Sequence, residues 1–282
     1  MNYFYQSHSA LRNDIIQTRV PEPGLAVWSL GQAGFVIKGG NSDEYIVLDP
    51  YLTRSIEEGD VDTEFIREYD PPLAPSELKG ALAVLISHHH DDHLDLPTLT
   101  ELHQVSPETK FLLPTAHRQM LRSVDGQAIV GMTNAQQVEV GTFSIKPIAA
   151  AHTEYEFDAD GNHLYLGYLI SVHGIRIYFS GDTIVTRELL DAVRTFEPHI
   201  AMLPINGGDF FRTSRNIIGN MSGREAVDFC RYVNADLFIP FHYDMFPNNR
   251  DNPAHTVDYL FHQHRDLKFH MMALGERFVY LR

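Results

Sequence analysis

A single cysteine, Cys230, in 282 residues excludes an intrachain disulfide. It falls in a helix-like stretch, residues 224–233, and reads as a small core residue and not as a nucleophile. No apolar run approaches the ~20 residues that cross a bilayer. The first residues, Met1-Asn2-Tyr3-Phe4-Tyr5-Gln6-Ser7-His8, lack the apolar core of a secretory leader. A cytoplasmic location with no membrane partner is the expectation. Basic residues are scarce, with 22 Lys plus Arg against 37 Asp plus Glu and a formal net charge of -15. That balance disfavours nucleic acid as the main partner, because phosphate contacts need clustered Lys and Arg. Internal repeats, low-complexity tracts and a clear linker are also missing, so residues 1–282 are read as one domain. A homo-oligomer is left open.

What is present is enough apolar material for a sizeable core, 44% hydrophobic and 11% aromatic. Strand signals cover residues 25–30, 34–38, 44–50, 80–86, 110–114, 127–132, 137–140, 143–149, 174–179, 199–205 and 236–241. Helix signals cover 97–105, 118–122 and 224–233. The alternation of strands with helices predicts an α/β fold. Residues 53–79 are acidic, carry Pro71, Pro72 and Pro75, and read as a surface excursion without an assigned role.

The densest chemistry lies in Ser87-His88-His89-His90-Asp91-Asp92-His93-Leu94-Asp95. If the backbone is extended, His88, His90 and Asp92 share one face, since side chains alternate at period two. His93 then turns to the opposite side of the same pocket. The preceding apolar run has the length of a strand covered on both faces. Asp95 stands where it can cap a following helix with Pro97 in its first turn. Four metal-type ligands at the carboxyl end of a buried strand point to a metal site. An accidental His run of the purification-tag kind would sit at a terminus without interleaved Asp. Three more candidates end separate strands. They are His152 after 143–149, Asp182 in Ser180-Gly181-Asp182, and His242 after 236–241.

The spacing His88-x-His90-x-Asp92-His93, with His152, Asp182 and His242 behind it, resembles the metallo-β-lactamase-fold hydrolases. The resemblance implies a four-layer αββα sandwich. It also implies two divalent ions, one held by His88, His90 and His152, the other by Asp92, His93 and His242, with Asp182 bridging. On that reading Asp92 and Asp182 are catalytic: a metal-bridged hydroxide attacks, and Asp92 takes the water's proton. Trp28-Ser29-Leu30-Gly31-Gln32-Ala33-Gly34-Phe35, Tyr178-Phe179-Ser180-Gly181-Asp182, Asn220-Met221-Ser222-Gly223-Arg224-Glu225-Ala226 and Ile239-Pro240-Phe241-His242-Tyr243-Asp244 narrow the likeness. Together they are similar to L-ascorbate-6-phosphate lactonases, which implies opening of a sugar-acid lactone with manganese(II). Five imidazoles suit zinc(II) equally by ligand softness. Val185 departs from a Tyr found three residues after the bridging Asp in some lactonases.

A small anionic ester or lactone is therefore the expected substrate, with a phosphodiesterase or phospholipase-D-type reaction as the alternative on the same ions. Two ions, two Asp and a hydroxide leave a pocket charge of about +1. Arg212 and Arg215 are candidates to read the anion, since guanidinium suits carboxylate and phosphate. Asn206 and Tyr243 are further substrate-contact candidates, Tyr243 as a donor to the leaving group. A di-iron oxygen reductase of this fold would carry Glu at the position of His90. His89 should point away from the ligands, and His262, His264 and His270 read as surface groups.

Overall fold

A computed structural model of the chain describes residues 3–134 and 136–282. The strands in chain order are β1 (Gly24–Gly31), β2 (Gly34–Gly39), β3 (Tyr45–Leu48), β4 (Ala83–Leu85), β5 (Lys110–Pro114), β6 (Ile129–Met132) and β7 (Val138–Val140). They continue as β8 (Phe143–Ala149), β9 (Leu166–Val172), β10 (Ile175–Phe179), β11 (Ile200–Pro204), β12 (Leu237–Phe241), β13 (Lys268–Phe269) and β14 (Arg277–Leu281). The α-helices are α1 (His8–Gln17), α2 (Ser55–Gly59), α3 (Leu96–Val105), α4 (Arg187–Phe196), α5 (Phe210–Thr213), α6 (Gly223–Val233) and α7 (Pro253–Gln263).

Side-chain alternation sorts these strands into layers. In β1, Leu25 and Val27 face one way and Ala26 and Trp28 the other, all fully buried. A strand covered on both faces must lie inside a stack. Leu25 and Val27 join Phe35, Ile37, Ile46 and Leu85 in a core shared with Ile145, Ile170, Ile177, Met202 and Ile239. That core lies between two seven-stranded sheets, ordered β14-β1-β2-β3-β4-β5-β6 and β13-β12-β11-β10-β9-β8-β7. The opposite face of the first sheet packs Trp28, Val36 and Phe111 on Leu11 and Ile15 of α1 and Leu99 and Leu102 of α3. The opposite face of the second packs Tyr178, Leu203 and Phe238 on Leu189 and Val193 of α4 and Ala226 and Cys230 of α6. The expected αββα sandwich is the observed fold.

Cys230 is buried in this layer, and burial pushes its thiol up, as expected for a core residue. The helix α6 begins with a capping box: Ser222 accepts from the Glu225 amide while Glu225 accepts from the Ser222 amide. No helix among the described residues is long and apolar enough to cross a membrane.

Strand direction decides where the ligands meet. In the second sheet β9 is antiparallel to both β8 and β10, and β10, β11 and β12 run parallel, so β8, β10, β11 and β12 all point one way. In the first, β3, β4, β5 and β6 are parallel. The two sets of carboxyl ends come together at one edge of the sandwich. Phe35, Phe179 and Phe241 lock that edge, with centroids 6.4, 6.0 and 5.4 Å apart pairwise. Phe179 and Phe241 lie close before Asp182 and His242 in the chain, so the core anchors the ligands. Truncating either ring to Ala should cost about 3–5 kcal/mol.

Candidate metal centre

β4 hands the chain to Ser87, β8 to His152, β10 to Asp182 and β12 to His242. The geometry of each exit is set locally. Gly181 has φ +58, and a Cβ there would sit 2.5 Å from the Ser87 Cβ, so only glycine lets the two strand ends meet. The Leu166 amide donates to the Ser87 carbonyl at 2.9 Å and the Tyr168 hydroxyl to the Ile86 carbonyl at 2.7 Å, tying the sheets together at this point. Asp49, Gln32 and His242 are non-glycine residues in the left-handed region, with φ 34, 53 and 59. Strain of this kind persists where the surroundings over-determine it.

All seven expected ligands converge. One ligand atom from each of His88, His90, His152 and Asp182 lies within 4.8 Å of the others, and the same holds for Asp92, His93 and His242. The His88 and His152 rings are 5.8 Å apart, and His93 and His242 stack at 5.6 Å. Asp182 stands between the two groups: Oδ1 is 3.4 Å from His93 Nε2, and Oδ2 is 3.3 Å from His242 Nε2 and 3.8 Å from His152 Nε2. Two of these buried atoms, His93 Nε2 and Asp182 Oδ1, lack a hydrogen-bond partner. Buried polar atoms left without a hydrogen-bond partner are costly in a metal-free protein and natural in a ligand set, so the residues fit divalent ions.

The protonation pattern splits the same way. Burial, then the neighbouring imidazoles, holds His88 well below its usual range, and burial holds His90 down at about 4. Burial also pulls on His242, but Asp182 and Asp92 outweigh it and lift that imidazole to about 9. Against the same burial, His93 is raised well above its usual range by Asp182, Asp92 and Asp49.

Two residues without an expected role complete the centre. Asp49, fully buried at the end of β3, lies 2.7 Å from His93 Nδ1 and accepts from the Ser87 amide at 2.7 Å and from the Ser87 hydroxyl. The Ser87 Oγ is in turn 2.9 Å from His88 Nδ1. With both Nδ1 atoms acting as donors, Nε2 of His88 and of His93 carries the lone pair a metal needs. The signal for Asp49 is a carboxylate ending a strand that is the parallel neighbour of β4. Gln32, in the β1–β2 turn, donates from Nε2 to Asp92 Oδ2 at 2.8 Å.

Some local expectations need correction. Residues 91–93 form a turn, so the period-two alternation of an extended strand does not place Asp92. Asp95 occupies the N-cap of α3, but its carboxylate accepts from the hydroxyls of Thr53, Ser55 and Thr98 and from no helix amide. It pins the start of the 53–79 segment beside the ligand loop.

A cavity of about 630 Å³ opens over the centre. Its floor carries His90, Asp92, His152, Asp182 and His242. The acidic segment, read as a surface excursion without an assigned role, supplies Ser55, Ile56, Gly59, Asp60, Thr63 and Phe65 to the wall. Met120, Ile218 and Phe246 add apolar surface, and among the described residues no Lys or Arg lines the cavity. His89 also lines it, belongs to neither ligand group and packs its ring against His117 at 4.8 Å.

The anion-reading roles expected of the arginines are not what the structure supplies. Arg212 donates to Asp209 at 2.6 Å and to the Asn206 carbonyl at 3.0 Å, and Arg215 is paired with Glu64. Both charges are already matched outside the lining. Asn206 is fully buried behind the wall and donates at 3.0 Å to Asn249, which does line the cavity. Tyr243 lines a separate small crevice with Phe241, Asp244 and Met272 and is not among the residues lining the cavity. Asp60 and Asp91 add two carboxylates to the wall, which the expected balance of about +1 did not include. His262, His264 and His270 bond to the Asp258 carbonyl, Asp228 and Glu276, away from the site.

A family model described as a beta-lactamase superfamily domain matches residues 45–243, more than half of the chain. The chain belongs to the beta-lactamase superfamily. Among curated relatives, it is 26% identical over 230 residues to a UPF0173 metal-dependent hydrolase of Archaeoglobus fulgidus, covering 79% of this chain and 85% of the relative. A UPF0173 metal-dependent hydrolase of Solibacter usitatus is 32% identical over 170 residues, 58% of this chain and 67% of the relative. Among solved structures, Igni18, a metallo hydrolase from Ignicoccus hospitalis, superposes with a TM-score of 0.65 at 19% identity, over 91% of this chain and 98% of that one. An isothiocyanate hydrolase from Delia radicum gut bacteria superposes with a TM-score of 0.67 at 16% identity, over 90% and 98%. These two structures show the shared fold. With its ligand clusters, this superfamily member is a metal-dependent hydrolase.

Proposed function

We propose that the enzyme hydrolyses a small ester or lactone whose body is uncharged and partly apolar, using two divalent ions, zinc(II) or manganese(II). One observation carries the choice of substrate: the cavity over the ligands combines Ile56, Phe65, Met120, Ile218 and Phe246 with carboxylates, and among the described residues no Lys or Arg lines it. A sugar phosphate would meet Asp60 and Asp91 there with no arginine or lysine to offset them. The sugar-phosphate lactonase motifs support the carbonyl chemistry and give no anion site of their own in this cavity.

Divalent ions at the centre would act as Lewis acids and make bound water acidic enough to attack at neutral pH. The protein's own part is placement. Asp182 stands between the two ligand groups and fixes their spacing. The Asp92 carboxylate, on the cavity floor, is placed to take the proton from the attacking water. Phe65, Ile218 and Phe246 hold the apolar part of the substrate and keep bulk water from the reacting carbon.

The test is a side-by-side panel on metal-reconstituted protein: an alkyl-substituted lactone, an unsubstituted sugar lactone, a phosphorylated lactone, an arylalkyl isothiocyanate and bis(p-nitrophenyl) phosphate. The highest kcat/KM should fall on the alkyl-substituted lactone. Preference for the phosphorylated lactone would overturn the uncharged-substrate reading, and turnover confined to the phosphodiester would overturn the carbonyl chemistry.

A further inference from the structure

Gln32 lies before the 45–243 segment that matches the family, yet its amide reaches into the metal centre. Its Nε2 is 2.8 Å from Asp92 Oδ2 and 3.0 Å from His242 Nε2. Those are two of the three side chains of one ligand group, and they come from different sheets. The third, His93, is held from behind by Asp49. Among the described residues no hydrogen bond joins Gln32 to His88, His90 or His152 of the other group.

The backbone of Gln32 is fixed as tightly as its side chain. The residue is 4% exposed and left-handed at φ 53. Its carbonyl accepts from the His242 amide at 3.1 Å, and its own amide donates to the Tyr69 hydroxyl at 3.3 Å. That hydroxyl donates onward to Asp244 at 2.9 Å. A left-handed glutamine clamped on both backbone groups, with its side chain between two ligands, is an expensive arrangement for a mere turn.

We infer that Gln32 is the positioning residue of the Asp92–His93–His242 half-site, holding Asp92 and His242 in their ligating rotamers across the two sheets. An ion at this half-site would take over the His242 ring contact and leave Gln32 its side-chain bond to Asp92 Oδ2 and its backbone bond from the His242 amide. The side-chain bond fixes which carboxylate oxygen turns toward the ion. A neutral amide does this without adding charge to a group that already holds a carboxylate. Outer partners of this kind contribute about 10–100-fold to metal affinity. The inference rests on the two-ion reading proposed above.

The test titrates chelator-treated full-length protein with zinc(II) and with manganese(II). His90→Ala and His242→Ala assign the two half-sites. Gln32→Met, similar in length but without a donor, should weaken the His242 half-site about 10–100-fold and leave the other within about twofold. Equal losses at both half-sites, or no loss at either, would overturn the assignment. If Gln32→Met does not fold, as judged by circular dichroism, Tyr69→Phe takes its place. It frees the Gln32 backbone and should give a smaller loss at the same half-site only, with the same two outcomes overturning the assignment. A wild-type chain that takes up no ion at the His242 half-site overturns the two-ion reading itself, which separates the two failures.

Discussion

Replacing Asp49 by Asn tests whether one buried carboxylate sets the ligand tautomers. Asp49 faces three donors: the Ser87 amide at 2.7 Å, the Ser87 hydroxyl, and His93 Nδ1 at 2.7 Å. Two carboxylate oxygens can accept all three. An Asn amide offers one oxygen, so its NH2 must take the place of either Oδ1 or Oδ2. In place of Oδ1 it meets the Ser87 amide, donor against donor; in place of Oδ2 it meets both the Ser87 hydroxyl and His93 Nδ1, so the path to His88 Nδ1 and the orienting partner of His93 are disturbed together. A buried donor left unmatched costs about 1–3 kcal/mol. Where that cost falls on the ligating tautomer it appears in metal binding, as roughly 5–150-fold in affinity, which overlaps the 10–100-fold range for outer partners. The assay is competition against a chromophoric chelator, with thermal unfolding of the metal-free protein run in parallel. Affinity within about twofold of wild type would refute the reasoning, whatever happens to unfolding, because the network would then hold the fold and not the ligands.

Three further outcomes are expected. The pH dependence of metal uptake should differ between the half-sites. His242, raised to about 9, must lose a proton to bind, so affinity there should rise by about tenfold per pH unit for each proton displaced between pH 7 and 9. His90, held at about 4, is already neutral, so its half-site should be flat over the same range, and equal slopes would refute the split. In the metal-free protein the raised His242 contributes stability that is full below about pH 6.5 and lost as pH climbs through about 9, which urea unfolding at pH 6, 8 and 10 checks. Ile218→Asp should raise KM for an alkyl-substituted lactone at least tenfold with kcat changed less, whereas Arg215→Ala, whose charge is matched by Glu64, should leave kcat/KM within about threefold.

The ligand set was legible because each ligand ends a strand and the strand ends share one direction. His152, Asp182 and His242 are each preceded by an apolar strand signal, and the sheet topology brings those signals to one edge. Asp49 carries the same signal at the end of β3, but a lone carboxylate before Pro50 reads equally well as a strand terminator. Gln32 sits in a Gly-rich turn whose local reading, a hairpin, is correct and complete without it. Its reach to Asp92 depends on pairing across 60 positions and on contact with a strand end of the other sheet. The strand β9 bears no ligand at its carboxyl end, so a reading that follows ligands passes over it, although it joins β8 to β10. β14 pairs with β1 across the whole chain, Leu281 opposite Gly24, a contact that no local pattern encodes. The cavity wall was the least legible part. Residues 53–79 are acidic on average, and only the fold shows Ile56 and Phe65 turned inward.

The central claim is that these seven side chains hold divalent ions on which hydrolysis depends. Elemental analysis of protein purified without added metal, followed by exhaustive chelation and stepwise reconstitution with turnover measured at each stage, addresses it most directly. The account predicts two ions per chain, loss of turnover with their removal and recovery as they return, and no recovery in Asp182→Ala. Undiminished turnover after chelation, with no metal retained, would contradict it.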